Sequence, residues 1–118
     1  MTIINLTQHA PTEEQRQLGV VDAETEEVRR LLTFAELPSK AEVTARAEAL
    51  AALAHEAGAT AAMIGGAPYL MGALETALKA RGINPLYAFS ERVSRETVLP
   101  DGSVTKTSVF VFKGFVEV

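Results

Sequence analysis

The stretch that decides the fold is ATAAMIGGAP, residues 59–68. It opens with six uncharged residues, continues through Gly65-Gly66 and reaches Pro68. An uncharged run of this length after a helical segment is typical of a strand covered on both faces of a parallel sheet. Proline is well suited to the first position of a following helix, because the N–H that proline lacks would have no hydrogen-bond partner within the helix there. The stretch therefore predicts one strand–loop–helix unit of an α/β domain.

The sequence on either side supplies the helices of this unit. Ser39 and Glu42 form a capping-box pattern in front of an alanine-rich helix over 41–57, which Gly58 ends. Apolar residues at helical spacing predict one buried face of this helix, made of Val43, Ala47, Leu50, Ala54 and Ala57. Pro68 begins a second helix that runs through Ala80 and stops at Gly82.

The first 33 residues predict a strand, a helix, a short strand and another helix. Residues 2–6 are a β-branched, mostly apolar run, typical of a buried strand. Thr12 with Gln15 predicts the capped start of a helix that stops at Leu18-Gly19. Val20-Val21 then fits a short strand, and residues 25–33 fit a helix.

The last third of the chain alternates between polar and apolar residues. Residues 86–89 predict a third core strand, followed by an antiparallel hairpin over 93–97 and 104–112 with its turn at 99–102. Residues 114–118 are compatible with a last strand. The order of elements predicts a single Rossmann-like domain over 1–118, with a mainly parallel sheet flanked by helices and a C-terminal antiparallel β-hairpin.

Composition excludes several classes of site and protein. Without cysteine there is no disulfide, thiolate ligand or cysteine nucleophile, and two histidines 46 positions apart give no metal-ligand spacing. The net charge of −4 disfavours a protein that coats a long nucleic acid, although the second half of the chain could bind a compact anion. No apolar run is long enough to span a membrane and no signal-peptide pattern opens the chain, so the cytoplasm is the expected location. We expect no metal and no cofactor.

Three polar or glycine-rich segments follow the predicted parallel strands. They are Thr7-Gln8-His9, Gly65-Gly66-Ala67 and Ser90-Glu91-Arg92. In open parallel sheets, ligands bind beyond the carboxyl ends of the strands, so these segments predict the site. A polar loop beside the Thr12 helix cap would also explain Thr7-Gln8-His9 without a functional role. His9 is the candidate general acid or base, because an unperturbed imidazole titrates near physiological pH. His55 falls late in the alanine-rich helix and is expected at the surface.

The other candidates would bind rather than transfer protons. Gly65-Gly66 before a helix allows close backbone approach to an anion, although a plain tight turn explains the glycines equally well. Arg92 and Arg95 could pair with phosphate oxygens or form a solvated edge. Tyr69 could stack on a base or simply pack.

These features together resemble a known family. An apolar opening strand, a middle strand ending in Ile64-Gly65-Gly66 and the terminal GFVEV of residues 114–118 are similar to the small ring nucleases of type III CRISPR systems and their viral relatives, and to CARF sensor domains. The resemblance implies a homodimer that binds a cyclic oligoadenylate and cleaves it without metal, leaving linear products with a 2′,3′-cyclic phosphate. For this activity the candidate catalytic residues of the chain are His9, Gln8 and Arg92, and the candidate ligand contacts are Thr7, Gly65, Gly66, Tyr69, Ser90 and Arg95.

One position departs from the family's pattern. The viral ring nucleases have a histidine directly after the glycine that ends the middle strand, and this chain has Gly66 there. The acid role then passes to His9. Two alternatives remain open: a module that senses or sequesters a nucleotide without chemistry, and a small protein-interaction domain.

Overall fold

Five strands and four helices make up the chain. The computed structural model describes residues 1–118. In chain order the elements are β1 (Ile3–Leu6), α1 (Glu13–Gln17), β2 (Val20–Asp22), α2 (Thr25–Leu32), α3 (Lys40–Glu56), β3 (Ala61–Ile64), α4 (Pro68–Ala80), β4 (Asn84–Val98) and β5 (Val104–Glu117). None of the four helices has the combination of length and apolar character that crossing a membrane requires.

All five strands form one sheet in the order β2-β1-β3-β4-β5. The first four run parallel and β5 is antiparallel to β4. This confirms the mainly parallel sheet flanked by helices and the C-terminal antiparallel hairpin. From β1 the chain first steps outward to β2 and then returns past β1 to β3, so the direction of winding reverses between β1 and β3.

This reversal distributes the helices unequally over the two faces of the sheet. Right-handed crossovers that step in opposite directions place their helices on opposite faces. The main core of 18 buried residues therefore lies under α2, α3 and α4, and includes Ile4, Leu50 and Leu74. On the other face, a smaller cluster of five buried residues packs against Phe115. Only the five-residue α1 covers that face, because no helix follows β4.

The helix boundaries follow the predicted caps. The hydroxyl of Thr12 accepts a hydrogen bond from the Gln15 backbone N–H at 3.2 Å, and the Gln15 side chain accepts one from the Thr12 N–H at 3.0 Å. Ser39 accepts a hydrogen bond from the Glu42 N–H at 3.1 Å. Gly58 follows α3 with a φ of +70°, a left-handed conformation that glycine adopts without steric cost. The capping patterns alone were thus sufficient to locate these helix ends.

Two details differ from the sequence expectations. Ala57 is exposed, because it is the C-cap of α3 and lies past the last turn of the buried face, while Ala51 is fully buried on that face. The third core strand and the outgoing hairpin strand are one continuous element, β4, and the returning strand continues through 114–117 as β5. The pairing of β4 with β5 continues across a register shift at Phe89/Ser90. A β-bulge of this kind bends the chain without ending either strand.

Candidate functional site

A groove of about 660 Å³ opens at the carboxyl ends of β1, β3 and β4. It lies beside the point where the winding reverses between β1 and β3, which is where ligands bind in open parallel sheets. Its lining combines polar and apolar residues but carries no aspartate, glutamate, lysine or arginine; it consists of Thr7, Gln8, His9, Ala10, Thr12, Gln15, Met63, Ile64, Gly65, Gly66, Tyr87, Ala88 and Ser90.

Six of the residues predicted from the sequence meet at this groove. Thr7-Gln8-His9 come from the loop after β1, Gly65-Gly66 from the end of β3, and Ser90 from β4. Gln8 and His9 are exposed, so both are accessible to a ligand in the groove. The sheet brings these three segments together because parallel strands place all their carboxyl ends at one edge.

Asn5 fixes the shape of the Thr7-Gln8-His9 loop, and sequence reasoning did not single it out. Its buried side-chain amide donates to the His9 carbonyl at 2.8 Å and to Asp22 Oδ1 at 3.2 Å. The amide oxygen accepts hydrogen bonds from the backbone N–H and the hydroxyl of Thr7, at 3.0 and 2.7 Å. The one signal in the sequence is an asparagine inside an otherwise apolar buried strand, where an amide must find partners.

A second, smaller cavity of about 160 Å³ lies on the other side of the same loop. Both cavities are lined by Thr7, Gln8, His9 and Ala10, so this loop is the wall between them. Arg29 of α2 lines the smaller cavity and forms no ion pair, whereas the neighbouring Arg30 is paired with Glu27. Sequence reasoning assigned Arg29 no role.

Three predicted residues do not line the groove. Arg92 lies two residues beyond Ser90 and stacks over the Phe110 ring, 5.4 Å from its centroid. Arg95 is three residues further along β4 than Arg92, and strand alternation places it on the opposite face. The two arginines that the sequence placed near the site therefore do not line the groove with His9.

Tyr69 lies in a different cavity, away from the groove. Its ring makes an edge contact with the ring of Phe34, with centroids 5.3 Å apart. The Arg46 guanidinium lies over the same Phe34 ring. The first turn of α4 directs Tyr69 toward the connection between α2 and α3, where it helps to line a cavity of about 550 Å³. The ring is thus in contact with Phe34 at one edge and otherwise 56% exposed, outside the groove.

Tyr87 is the one groove residue whose proton affinity is clearly altered. Its hydroxyl donates a hydrogen bond to Glu75 Oε2 at 2.6 Å. Burial, followed by the hydrogen bond and the charge of Glu75, raises the pKa of Tyr87 to about 12. No group of three or more histidine, cysteine, aspartate or glutamate side chains converges in the chain. His9 is thus the remaining groove side chain suited to proton transfer near neutral pH.

The Tyr87–Glu75 pair should make the stability of the protein depend on pH in the alkaline range. Because the folded-state pKa of Tyr87 is raised above its ordinary value near 10, the neutral hydroxyl stabilises the folded state below pH 10. This contribution is lost as pH rises toward 12. We expect the difference in melting temperature between the wild type and Tyr87→Phe to be largest near pH 8 and to shrink above pH 10. A difference that stays constant from pH 8 to pH 11 would contradict the pairing.

Comparison with known proteins places the chain in a family. A family model described as "Uncharacterized protein MJ1673 family" matches residues 1–116. The chain belongs to this MJ1673 family. The match extends over the groove, the Thr7-Gln8-His9 loop and nearly all of β5. The family model therefore covers essentially the whole fold. No curated protein and no solved structure gives a match.

Proposed function

We propose that this member of the MJ1673 family is a Rossmann-like ring nuclease that binds a cyclic oligoadenylate at the groove and cleaves it without a metal ion. The observation that supports this most is the position of His9. It lies on the exposed loop between two cavities at the carboxyl ends of the strands, and Gly65-Gly66 line the groove with it. The winding reversal beside this groove supports the Rossmann-like assignment.

The proposed reaction is an internal transesterification. The 2′-hydroxyl of a ribose attacks the adjacent phosphorus, so an O2′–P bond forms while the P–O5′ bond breaks. The His9 imidazolium gives its proton to the departing 5′-oxygen, and the proton of the 2′-hydroxyl passes to solvent. The product is a linear oligoadenylate with a 2′,3′-cyclic phosphate and a free 5′-hydroxyl. The chain itself contributes alignment of the attack and proton transfer.

The size and lining of the groove suit such a ligand. About 660 Å³ falls within the 300–1,000 Å³ typical of small-molecule sites. Hydroxyl and amide groups of Thr7, Gln8 and Ser90 can hydrogen-bond to ribose and base edges, and glycine backbone at Gly65-Gly66 allows a phosphate to approach closely. A ring of several nucleotides exceeds one groove, which supports a homodimer whose two grooves share the ring.

Arg29 is the cation that we assign to the transition state in place of Arg92. It lines the cavity next to His9 and has no carboxylate partner, so its guanidinium is available to a phosphate oxygen. We expect Arg29→Gln to lower kcat for cyclic oligoadenylate cleavage by about 10–100-fold, with a smaller effect on KM. Arg30→Gln is the matched control, since Arg30 is an equally exposed neighbour but is paired with Glu27 and lies outside the cavity. Equal rates in the two variants would remove Arg29 from the mechanism.

The direct test is incubation of the purified protein with cyclic tri-, tetra- and hexa-adenylate in the presence of EDTA. Chromatography should show linear products that carry a 2′,3′-cyclic phosphate from at least one of the three rings. Intact ligand in all three reactions would rule out the nuclease assignment. Cleavage that requires added divalent metal would rule out the metal-independent mechanism.

A non-catalytic nucleotide sensor is the second candidate function. The absence of charged side chains from the lining of the larger groove favours it, because phosphate cleavage usually depends on a cation at the phosphate. Calorimetry that gives tight binding of a cyclic oligoadenylate, together with unchanged ligand on chromatography, would support the sensor over the nuclease.

A further inference from the structure

The outer part of the β4–β5 hairpin projects from the rest of the molecule as an arm, defined here as residues 90–113. The last pair between β3 and β4 is Met63 with Leu86, so beyond this point β4 pairs only with β5, and β5 is the edge of the sheet. The molecule measures 58 × 36 × 24 Å, and its radius of gyration is 17.1 Å. A compact chain of this length would have a radius of gyration of about 13.5 Å. The arm accounts for this extension.

Both faces of the arm carry apolar side chains near its base. Phe110 is 70% exposed and lies on the same face as Ser90 and Arg92. Val93 and Val109 are paired across the strands on the opposite face. A two-stranded ribbon with nothing packed on it is only marginally stable in water. Exposed apolar groups on an otherwise unsupported ribbon fit an arm that packs against a protein surface.

The arm and the rest of the chain have opposite net charge. The arm has four cationic and three acidic side chains, while the remaining residues have seven cationic and twelve acidic ones. Lys106 pairs with Glu96 and Lys113 with Glu91, which leaves the guanidinium groups of Arg92 and Arg95 without a carboxylate.

The acidic surface that complements the arm lies at the start of α1. Glu13 and Glu14 occupy its first turn and form no ion pair. They lie on the side of the sheet that no other helix covers. The arm therefore has a complementary surface on this same chain, but it cannot fold back onto it because β4 is a continuous strand held by β5.

We propose that the arm packs against a second copy of this chain, across α1 and the uncovered face of its sheet. Exchange of arms about a two-fold axis would form the arm–body contact twice, which gives a closed, self-complementary dimer. The arm has 24 residues, which matches the roughly 20–30 residues that each partner contributes to a standard interface. The proposal rests on the homodimer of the proposed function and names the surface that forms it.

The same arrangement gives Arg95 a role. In the extended arm it is a cation without a carboxylate partner, and the groove beside α1 has no cation in its lining. Packing the Val93 and Val109 face of the arm across α1 of the second copy brings Arg95, which lies on that face, to the acidic first turn next to that copy's groove. Each groove would then be bordered by its own His9 and by the arm of the other copy.

Oligomeric state in solution tests the proposal directly. Sedimentation velocity of the full chain should give twice the 12.6 kDa of the monomer. Val109→Glu, which places a charge in the apolar Val93–Val109 pair of the arm, should raise the dissociation constant of the dimer at least about thirtyfold. Arg95→Glu should also weaken the dimer, and more strongly at low salt. Leu37→Glu is the control, since Leu37 is 98% exposed and distant from the arm in the connection between α2 and α3; it should leave the dimer intact.

Three results would overturn the proposal. The wild type could be monomeric at all concentrations, the arm variants could remain dimeric, or Leu37→Glu could dissociate the dimer as strongly as Val109→Glu does. If Val109→Glu fails to fold, residues 94–108 can be replaced by Asn-Gly, which joins Val93 to Val109 through a two-residue hairpin turn. This shortened chain should be a folded monomer. Cleavage assays on the same variants keep the two ideas apart, because loss of activity in His9→Ala with an intact dimer concerns only the chemistry.

Discussion

Under the proposed function, replacement of His9 by alanine should reduce cleavage of cyclic oligoadenylates by about 10²–10⁴-fold, which corresponds to about 3–5 kcal/mol of activation free energy. His9 is the groove side chain suited to protonate the departing 5′-oxygen, so its loss removes a contribution made in the transition state. Ligand affinity should change little, because Thr7, Gln8, Ser90 and the Gly65-Gly66 corner remain. Single-turnover rates together with calorimetric binding of the ring separate the two effects.

The other histidine of the chain provides the control for this substitution. His55 is exposed in the last turn of α3, as its position in the sequence predicted, and lies outside both cavities next to His9. His55→Ala should therefore retain the wild-type rate. Full activity in His9→Ala would disprove the assigned proton donor, even if the protein cleaves the ring.

The second large effect is expected at Asn5. Asn5→Ala should lower the free energy of unfolding by about 2–4 kcal/mol, because it removes a buried amide and leaves its former partners unsatisfied. The Thr7 N–H, the His9 carbonyl and Asp22 would each lose a hydrogen bond. Urea unfolding measures the change, and amide hydrogen exchange should show faster opening of residues 7–9.

Gln8→Ala is the matched comparison for stability within the same loop. Gln8 is exposed and makes no hydrogen bond through its side chain, so its truncation should change the free energy of unfolding by less than about 0.5 kcal/mol. Similar losses for Asn5→Ala and Gln8→Ala would show that Asn5 does not fix the loop. A stable Asn5→Ala protein with reduced cleavage would separate positioning of His9 from folding.

The His9 and Asn5 substitutions together separate the chemical role of the loop from the contacts that hold the loop in place. His9 is exposed and contributes little to packing, so its substitution tests chemistry with minimal effect on the fold. Asn5 is buried and its amide is already hydrogen-bonded to Thr7, His9 and Asp22, so it is a positioning residue. Its effect on activity should track the orientation of the loop rather than the proton transfer itself.

Local sequence determined most of the secondary structure. Thr12 with Gln15 and Ser39 with Glu42 fixed two helix starts through side-chain hydrogen bonds to nearby N–H groups, and such contacts depend only on residues three positions apart. The uncharged run ending at Ile64 identified a strand buried on both faces. Alternation and turn residues indicated the hairpin, although they could not show that β4 and β5 each continue through the bulge at Phe89/Ser90.

The sequence also located the groove, because polar residues after buried strands must gather at one edge of a parallel sheet. The Thr7-Gln8-His9 loop, Gly65-Gly66 and Ser90 meet there for that reason. Only the tertiary structure decided which cation lies near His9. Arg92 is close to Ser90 along the chain but stacks on Phe110, whereas Arg29, twenty positions after His9, lines the adjoining cavity because α2 packs beside the carboxyl end of β1.

The sequence by itself thus determined most of the elements, the caps of α1 and α3, and the edge of the sheet that carries the candidate site. Tertiary structure decided that Asn5 fixes the His9 loop and that α1 alone covers one face of the sheet. It also decided that the hairpin extends as an arm. The physical reason is the sequence separation of the interacting residues, because caps, turns and alternation are set by neighbours a few residues apart. Side-chain partners across strands, and the surfaces left uncovered, depend on how the chain winds between β1 and β3.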